Sequence, residues 1–543
     1  MESLWEALLA AERGRLHCWT GATFTTVTWS DVVRDARKMV AGLRRAGVGP
    51  GTIVPVLLTN TMEAVHGALA VWLAGGTVAS LPLPARGMQI DEYVDQIDQI
   101  YRQLDGPLLL ADGGMLALVP ESARSAWTAT AWQSVWDSGT AEETPPGEDE
   151  LAFIQYSSGS VGRPKGCMLT PRAISAQLAV IMEMTAAAPG AEVVSSWLPL
   201  SHDMGIFGCL LFSWAYDSSL VLSTPERFAF SPGTWFGDMA DFGATMTAGT
   251  NTGLHLATLA RRRRLSAPLT LRCGVIGAER IERQTLLAVF AAFAEDGLRP
   301  NALMPAYGLA EATLAVTAAP AGTEPRFITV DSVQLANGKV SGLPPDNPAA
   351  TTLVSCGRPP SGIALGALPN ETVGEVVVRS PSLALGYHGD RELTRQRFAA
   401  DGLHTGDLAF VSDGELYLVG RVDDVISVGG RNVYMREIEL AVDALGPVRR
   451  GCSVIIDLAG PAAPGRLVLV TELRSSTIDY QSVADEVAAI AMAKAGVDVE
   501  ECIFVGRGAL PKTPSGKIQR YRCRQLLMAD ALPRVATVGS PTS

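Results

Sequence analysis

No two of the eight cysteines in this chain stand in a CxxC pair. They form neither a metal-knuckle pattern nor a disulfide framework. Free thiols fit a reducing, cytoplasmic setting. The six histidines lack the spacing of a zinc site. The N-terminus, Met1-Glu2-Ser3-Leu4-Trp5, has no basic stretch leading into an apolar one, so no signal peptide is expected. No uninterrupted run of eighteen apolar residues occurs, so no membrane span is expected. Basic residues are outnumbered, 44 against 56 acidic, and the formal net charge of −12 argues against nucleic-acid binding. The one dense basic run is Arg261 to Arg264, at a helix end. A solvated end favoured by the helix dipole explains it, and a docking patch for an acidic partner is the alternative. G-x-S-x-G is absent, so no hydrolase triad is expected.

What remains is apolar: 47% of the 543 residues are hydrophobic and 18% charged. That balance belongs to a well-buried globular enzyme. The length calls for more than one domain.

The most informative stretch is Tyr156-Ser157-Ser158-Gly159-Ser160-Val161-Gly162-Arg163-Pro164-Lys165-Gly166. Its glycines allow backbone N–H groups to turn inward, its serines add rotatable donors, and Lys165 adds a compact positive charge. Such a loop can surround a polyphosphate. It is not a Walker A loop, because Gly166 follows the lysine where Ser or Thr is needed. The same composition also suits a surface turn. Its position favours phosphate: a strand over 151–154 enters the loop and a helix over 173–185 leaves it.

Ser30 is expected to cap a helix that ends before Gly47. Strands are expected over 52–58, 193–197, 219–222, 245–248 and 271–276, with helical patterns between them, including 62–73. This alternation predicts an α/β fold with mainly parallel strands. After about residue 350 the pattern becomes β-rich, with Asp413-Gly414 turning a hairpin. We expect a large N-terminal domain over 1–419, a small α+β domain over 420–528, and a loose tail over 529–543.

Four further signals are weak singly. Tyr307-Gly308 precedes Glu311, a carboxylate able to hold Mg²⁺ through oxygen; a plain turn with a capping Glu is the alternative. His202-Asp203 is a polar pair inside an apolar run, either a base or a mutually satisfied buried pair. Asp407 and Arg421 bracket the hairpin, where a carboxylate can accept ribose hydroxyls and an arginine can donate to phosphate; a surface ion pair is the alternative. Lys517 follows a Pro/Ser/Gly turn and would reach a distant site by domain rotation.

Taken in order, these motifs resemble the adenylate-forming superfamily of acyl-CoA synthetases, peptide-synthetase adenylation domains and luciferases. The likeness runs from the first helix to Lys517. Within the superfamily the chain looks most like the fatty acyl-AMP ligases. The pointers are Trp197-Leu198-Pro199-Leu200 with His202-Asp203-Met204-Gly205, Tyr307 to Leu314, Gly430-Arg431-Asn432, and an extra stretch from Arg326 to Val354. That stretch resembles the insertion that in those ligases hampers release of the adenylate to free coenzyme A.

The resemblance implies two half-reactions. A carboxylic acid attacks the α-phosphate of ATP, and a thiol then takes the acyl group from acyl-AMP. In the ligases the thiol belongs to the phosphopantetheine arm of an acyl carrier protein. It also implies a cast. Ser157, Ser158, Gly159, Ser160, Gly162 and Lys165 would hold the β- and γ-phosphates. Gly277, Ala278, Glu279, Tyr307 and Gly308 would border adenine. Glu311 would hold Mg²⁺, and Asp407 with Arg421 the ribose. Lys517 would bridge carboxylate, α-phosphate and ribose. His202, Asn251, Thr252, Gly253 and Gly308 would line the acyl pocket, and Asp423 would be the hinge.

Some positions depart from the pattern. Val161 replaces a hydroxyl residue in the loop. Thr250-Asn251-Thr252-Gly253 replaces Pro-Asn-Phe-Ala, so loss of the Phe is expected to reshape the acyl pocket. Asp423 stands where acyl-AMP ligases often have lysine; aspartate there is usual in acyl-CoA synthetases, which keeps coenzyme A open as acceptor. A non-catalytic nucleotide-binding scaffold is the reading from another class.

Overall fold

The computed structural model describes residues 3–539 except 85–87, 138, 158–163, 369, 429–430, 459–465, 476–477 and 513–517. Ser158, Gly159, Ser160, Gly162, Gly430 and Lys517 therefore lie outside the described residues.

The architecture is α/β, as the alternation of patterns requires. Two mainly parallel sheets form the large domain. The first has eight strands, in the order Ala315–Ala318, Leu303–Gly308, Cys273–Ile276, Met246–Gly249, Val193–Ser196, Ser219–Leu222, Arg15–Trp19 and Phe24–Thr28. Only its two edge strands run antiparallel. The second has six, in the order Ala129–Ala131, Leu109–Ala111, Ile53–Val56, Thr77–Ser80, Phe153–Ser157 and Lys165–Leu169. Strands buried on both faces read as apolar runs rather than alternations, and Thr77–Ser80 and Met246–Gly249 are buried throughout. One apolar cluster joins the two sheets through Trp72, Phe153, Phe207 and Phe212.

Several expectations need correction. The first long helix is Trp29–Arg45, and its cap is Thr28 rather than Ser30: Asp31 N–H donates to the Thr28 hydroxyl, and the Asp31 carboxylate accepts from Thr28 N–H. No helix follows Phe153–Ser157 directly among the described residues. Strand Lys165–Leu169 intervenes, paired antiparallel with Phe153–Ser157 so that Ser157 faces Lys165. The helix Pro171–Thr185 follows it. Arg261 is not a solvated helix end, because it pairs with buried Asp296 and lies over the Phe293 ring.

An antiparallel five-stranded sheet forms the β-rich lobe. Asp413 and Gly414 turn its hairpin with φ of 52° and 74°, the left-handed pair such a turn requires. The closing strand runs from Glu415 to Arg421, so Gly420 and Arg421 still belong to this sheet. A four-stranded sheet then forms the C-terminal core, packed against helices Met435–Asp443 and Tyr480–Ala495. Its last strand, Arg534–Gly539, pairs with Glu501–Val505, so that part of the expected tail is ordered.

Among the described residues no helix is long and apolar enough to cross a membrane. All eight cysteines carry free, buried thiols.

Candidate active site

The parallel strands of the eight-stranded sheet all point their carboxyl ends one way, and open α/β sheets present ligands there. Val193–Ser196 leads to Trp197 and His202. Met246–Gly249 leads to Asn251, Thr252 and Gly253. Cys273–Ile276 leads to Gly277, Ala278 and Glu279, and Leu303–Gly308 ends on Tyr307 and Gly308. The sheet thus gathers four motifs that are far apart in sequence.

Local chemistry shapes each end. A Cβ at Gly308 would sit 1.9 Å from the Leu314 carbonyl oxygen, so the turn after Tyr307 closes only around glycine. That turn delivers Glu311. Thr313 is held at φ 68°, strained for a β-branched residue, and its hydroxyl donates to the Ser382 carbonyl over 2.7 Å. The Glu311 Oε1 accepts from the Tyr387 hydroxyl at 2.7 Å. The Lys165 ammonium lies 5.6 Å from the centre of the same tyrosine ring. Among the described residues no three metal-ligating side chains cluster. A single carboxylate suits Mg²⁺ that arrives with the nucleotide's phosphates rather than a dedicated metal cage.

The β-rich lobe brings the second half of the site. Asp407 and Arg421 face each other across its hairpin, with Arg421 Nε 3.1 Å from Asp407 Oδ1. Tyr307 closes the set by donating to Asp407 Oδ2 over 2.6 Å. Burial, reinforced by the Asp407 charge, pushes the Tyr307 phenol well above its ordinary pKa.

A family model described as AMP-binding enzyme matches residues 10–388. The chain belongs to this family. It is an adenylate-forming enzyme.

Relatives agree. A protein of Moorena producens named medium-chain-fatty-acid–[acyl-carrier-protein] ligase JamA is 29% identical over 86% of this chain and 84% of its own. The long-chain-fatty-acid–AMP ligase FadD26 of Mycobacterium bovis is 29% identical over 94% of this chain and 93% of its own. A structure from a study of fatty acyl-adenylate ligases from E. coli and L. pneumophila superposes with a TM-score of 0.89. It is 23% identical and covers 97% of this chain and 99% of that one, which shows the fold.

In this AMP-binding enzyme the Trp197–His202 turn is clamped from the other sheet. Asn60 donates to the carbonyls of Leu198 (2.9 Å) and Ser223 (2.7 Å) and accepts from Leu200 N–H. Gln155 donates to the Ser201 carbonyl over 2.8 Å. His202 Nδ1 lies 2.6 Å from Asp203 Oδ1. Asn60, Gln155 and Tyr387 carry no motif, and their importance shows only in three dimensions.

The departure at Thr250–Gly253 is more than a loss of bulk. Thr252 gives its N–H and its hydroxyl to the Glu279 carboxylate. A Cβ at Gly253 would come within 2.9 Å of the Trp197 ring. That ring stacks on Phe228, 3.7 Å between centres, and meets Trp235 edge-on. Glycine at 253 therefore admits Trp197 to the space beside the helix.

The C-terminal domain docks close by. Arg280, next to Glu279, pairs with buried Glu437. The 326–354 stretch folds as strands Phe327–Asp331 and Ala350–Val354 around a short helix. It touches the C-terminal domain through Ser332, which donates to the Lys494 carbonyl over 2.7 Å, and through Lys494, which donates to the Ala350 carbonyl. Asp423 lies exposed on the turn after Arg421.

Proposed function

We propose that this enzyme activates a fatty acid with ATP and Mg²⁺ and passes the acyl group to the phosphopantetheine thiol of an acyl carrier protein. The observation that carries the reading is the convergence of Tyr307, Asp407 and Arg421 with the linked trio Glu311, Tyr387 and Lys165.

A carboxylate and a triphosphate repel each other, so the site must supply positive charge and oriented donors. Lys165 holds the β- and γ-phosphates, together with Ser157, Ser158, Gly159, Ser160 and Gly162. Asp407 accepts from the ribose, with Arg421 beside it. Gly277, Ala278, Tyr307 and Gly308 border adenine. Glu311 holds Mg²⁺, which neutralises phosphate charge when bound. Lys517 carries its charge to the reacting centre as the C-terminal domain closes about Asp423. The acid's oxygen bonds to the α-phosphorus, and the bond to pyrophosphate breaks. The thiol sulfur then bonds to the acyl carbon, AMP leaves, and the thiol proton is released. His202, Asn251, Thr252 and Gly253 border the acid. Buried free thiols support a cytoplasmic setting.

Two observations favour the carrier as acceptor. The 326–354 insert is bonded to the C-terminal domain, and the JamA relative is named for a carrier protein. Asp423 favours the second reading, a ligase using free coenzyme A. Incubation with ATP, acid and either coenzyme A or a phosphopantetheinylated carrier separates them. Thioester with the carrier alone is expected; rapid thioester with coenzyme A alone overturns the choice.

A further inference from the structure

Tyr387 lies just inside the end of the matched family region and outside every motif singled out from the sequence. We propose that it is a positioning residue that holds Glu311 and Lys165 in register for metal-bound nucleotide. The inference rests on the reading that Glu311 holds the ion.

The backbone around Tyr387 is pinned to the strand that follows the phosphate loop. Leu385 N–H donates to the Met168 carbonyl, Met168 N–H to the Gly386 carbonyl, and His388 N–H to the Gly166 carbonyl, at 2.8 to 2.9 Å. Tyr387 itself bridges Cys167. From the other side, Tyr387 N–H donates to the Thr394 hydroxyl at 2.9 Å, and that hydroxyl donates to the Asp390 carbonyl at 2.7 Å. Phe398 meets the ring edge-on at 5.6 Å. The side chain is thus fixed at both ends, and it is 4% exposed.

Its two ends perform different tasks. The hydroxyl is the one described side-chain donor to the Glu311 carboxylate, so it fixes the carboxylate's rotation and leaves Oε2 for a ligand. The ring face lies below the Lys165 ammonium at a cation–π distance. One rigid side chain therefore spans the metal-holding carboxylate and the phosphate-facing lysine.

The test is a Mn²⁺ titration of enzyme saturated with a non-hydrolysable ATP analogue, with free Mn²⁺ read by electron paramagnetic resonance. Tyr387→Phe keeps the ring and removes the hydroxyl. Its Mn²⁺ Kd should rise about tenfold, while metal-free analogue binding stays within about twofold. Tyr387→Leu also removes the ring, and metal-free analogue binding should weaken about threefold. In a Glu311→Gln background Tyr387→Phe should add nothing, as coupled residues require. Thr394→Val loosens the backbone anchor alone and should raise the Mn²⁺ Kd about threefold. It covers the case in which Phe at 387 fails to fold.

Unchanged Mn²⁺ affinity in Tyr387→Phe, or full additivity with Glu311→Gln, overturns the inference and leaves the proposed function standing. A wild-type enzyme that binds no Mn²⁺ with the analogue overturns both.

Discussion

The Tyr307 hydroxyl and the Asp407 carboxylate, 100 positions apart in sequence, meet at 2.6 Å. One ends a strand of the eight-stranded sheet, and the other lies in the β-rich lobe. Their bond fixes the lobe's hairpin over the carboxyl end of that sheet. Tyr307→Phe removes it and leaves a carboxylate short of a donor. A hydrogen bond to a charged group contributes about 1.5 to 3 kcal/mol. The KM for ATP in pyrophosphate exchange should rise by about tenfold or more, with a smaller change in kcat. Steady-state exchange assays check it.

Lys517→Ala tests the role proposed for that lysine. Removing a preorganised charge from a transition state costs roughly 100- to 1000-fold in rate. Acyl-AMP formation should fall by that factor while calorimetry shows nearly unchanged ATP binding. Equal adenylation rates for variant and wild type would refute the assignment.

Arg280→Ala removes the partner of Glu437, a carboxylate that is 4% exposed. Breaking such a pair from one side costs about 3 kcal/mol or more, because a buried charge is left behind. Limited proteolysis should cut the variant faster around 421–424, where the chain passes from the β-rich lobe to the C-terminal domain. Cleavage at the wild-type rate would show that the pair does not hold the domain.

Asp443 gives a pH prediction. Burial pushes its carboxyl up from 3.8 to about 6, and the neighbouring Glu439 adds to the effect. The folded protein keeps a proton there that the unfolded chain has already lost. Stability from this group therefore falls as pH rises from about 3.8 to about 6, and the full cost of about 3 kcal/mol applies above that window. Asp443→Asn keeps an acceptor for Cys452 N–H and removes the charge. The variant should melt above wild type at pH 7.5, and the gap should shrink towards pH 4.

Gly308→Ala drives a methyl to 1.9 Å from the Leu314 carbonyl oxygen. Backbone must move, and the loop carrying Glu311 moves with it. A loss of several kcal/mol of stability is expected, and thermal melting checks it.

Much of this candidate site was legible in sequence because motifs at strand ends are local: Tyr307, Glu311, Asp407 and Arg421 stand in short motifs that are weak singly and gain meaning from their order. Tyr387, Asn60 and Gln155 do not, because their partners lie in other layers. Strand Lys165–Leu169 was hidden for the same reason. Its five residues gain regularity only by pairing with 153–157 on one side and meeting 385–388 on the other. Arg534–Gly539 is mostly exposed, and only Ala536 and Val538 pack on the core, too short an alternation to betray it; its partner strand supplies the order. The Thr28 cap was visible in Thr-x-x-Asp, a pattern that outranks the nearer Ser30.

The eight shielded sulfurs make the native fold nearly blind to alkylating dyes. Burial also pushes thiols such as Cys18, Cys273 and Cys356 up to about 12, so little thiolate is present near neutrality. A cysteine introduced at Met528, which is 70% exposed, would then be the one fast-reacting handle. A fluorophore placed there could follow the proposed closure of the C-terminal domain without stripping the chain of its own sulfur.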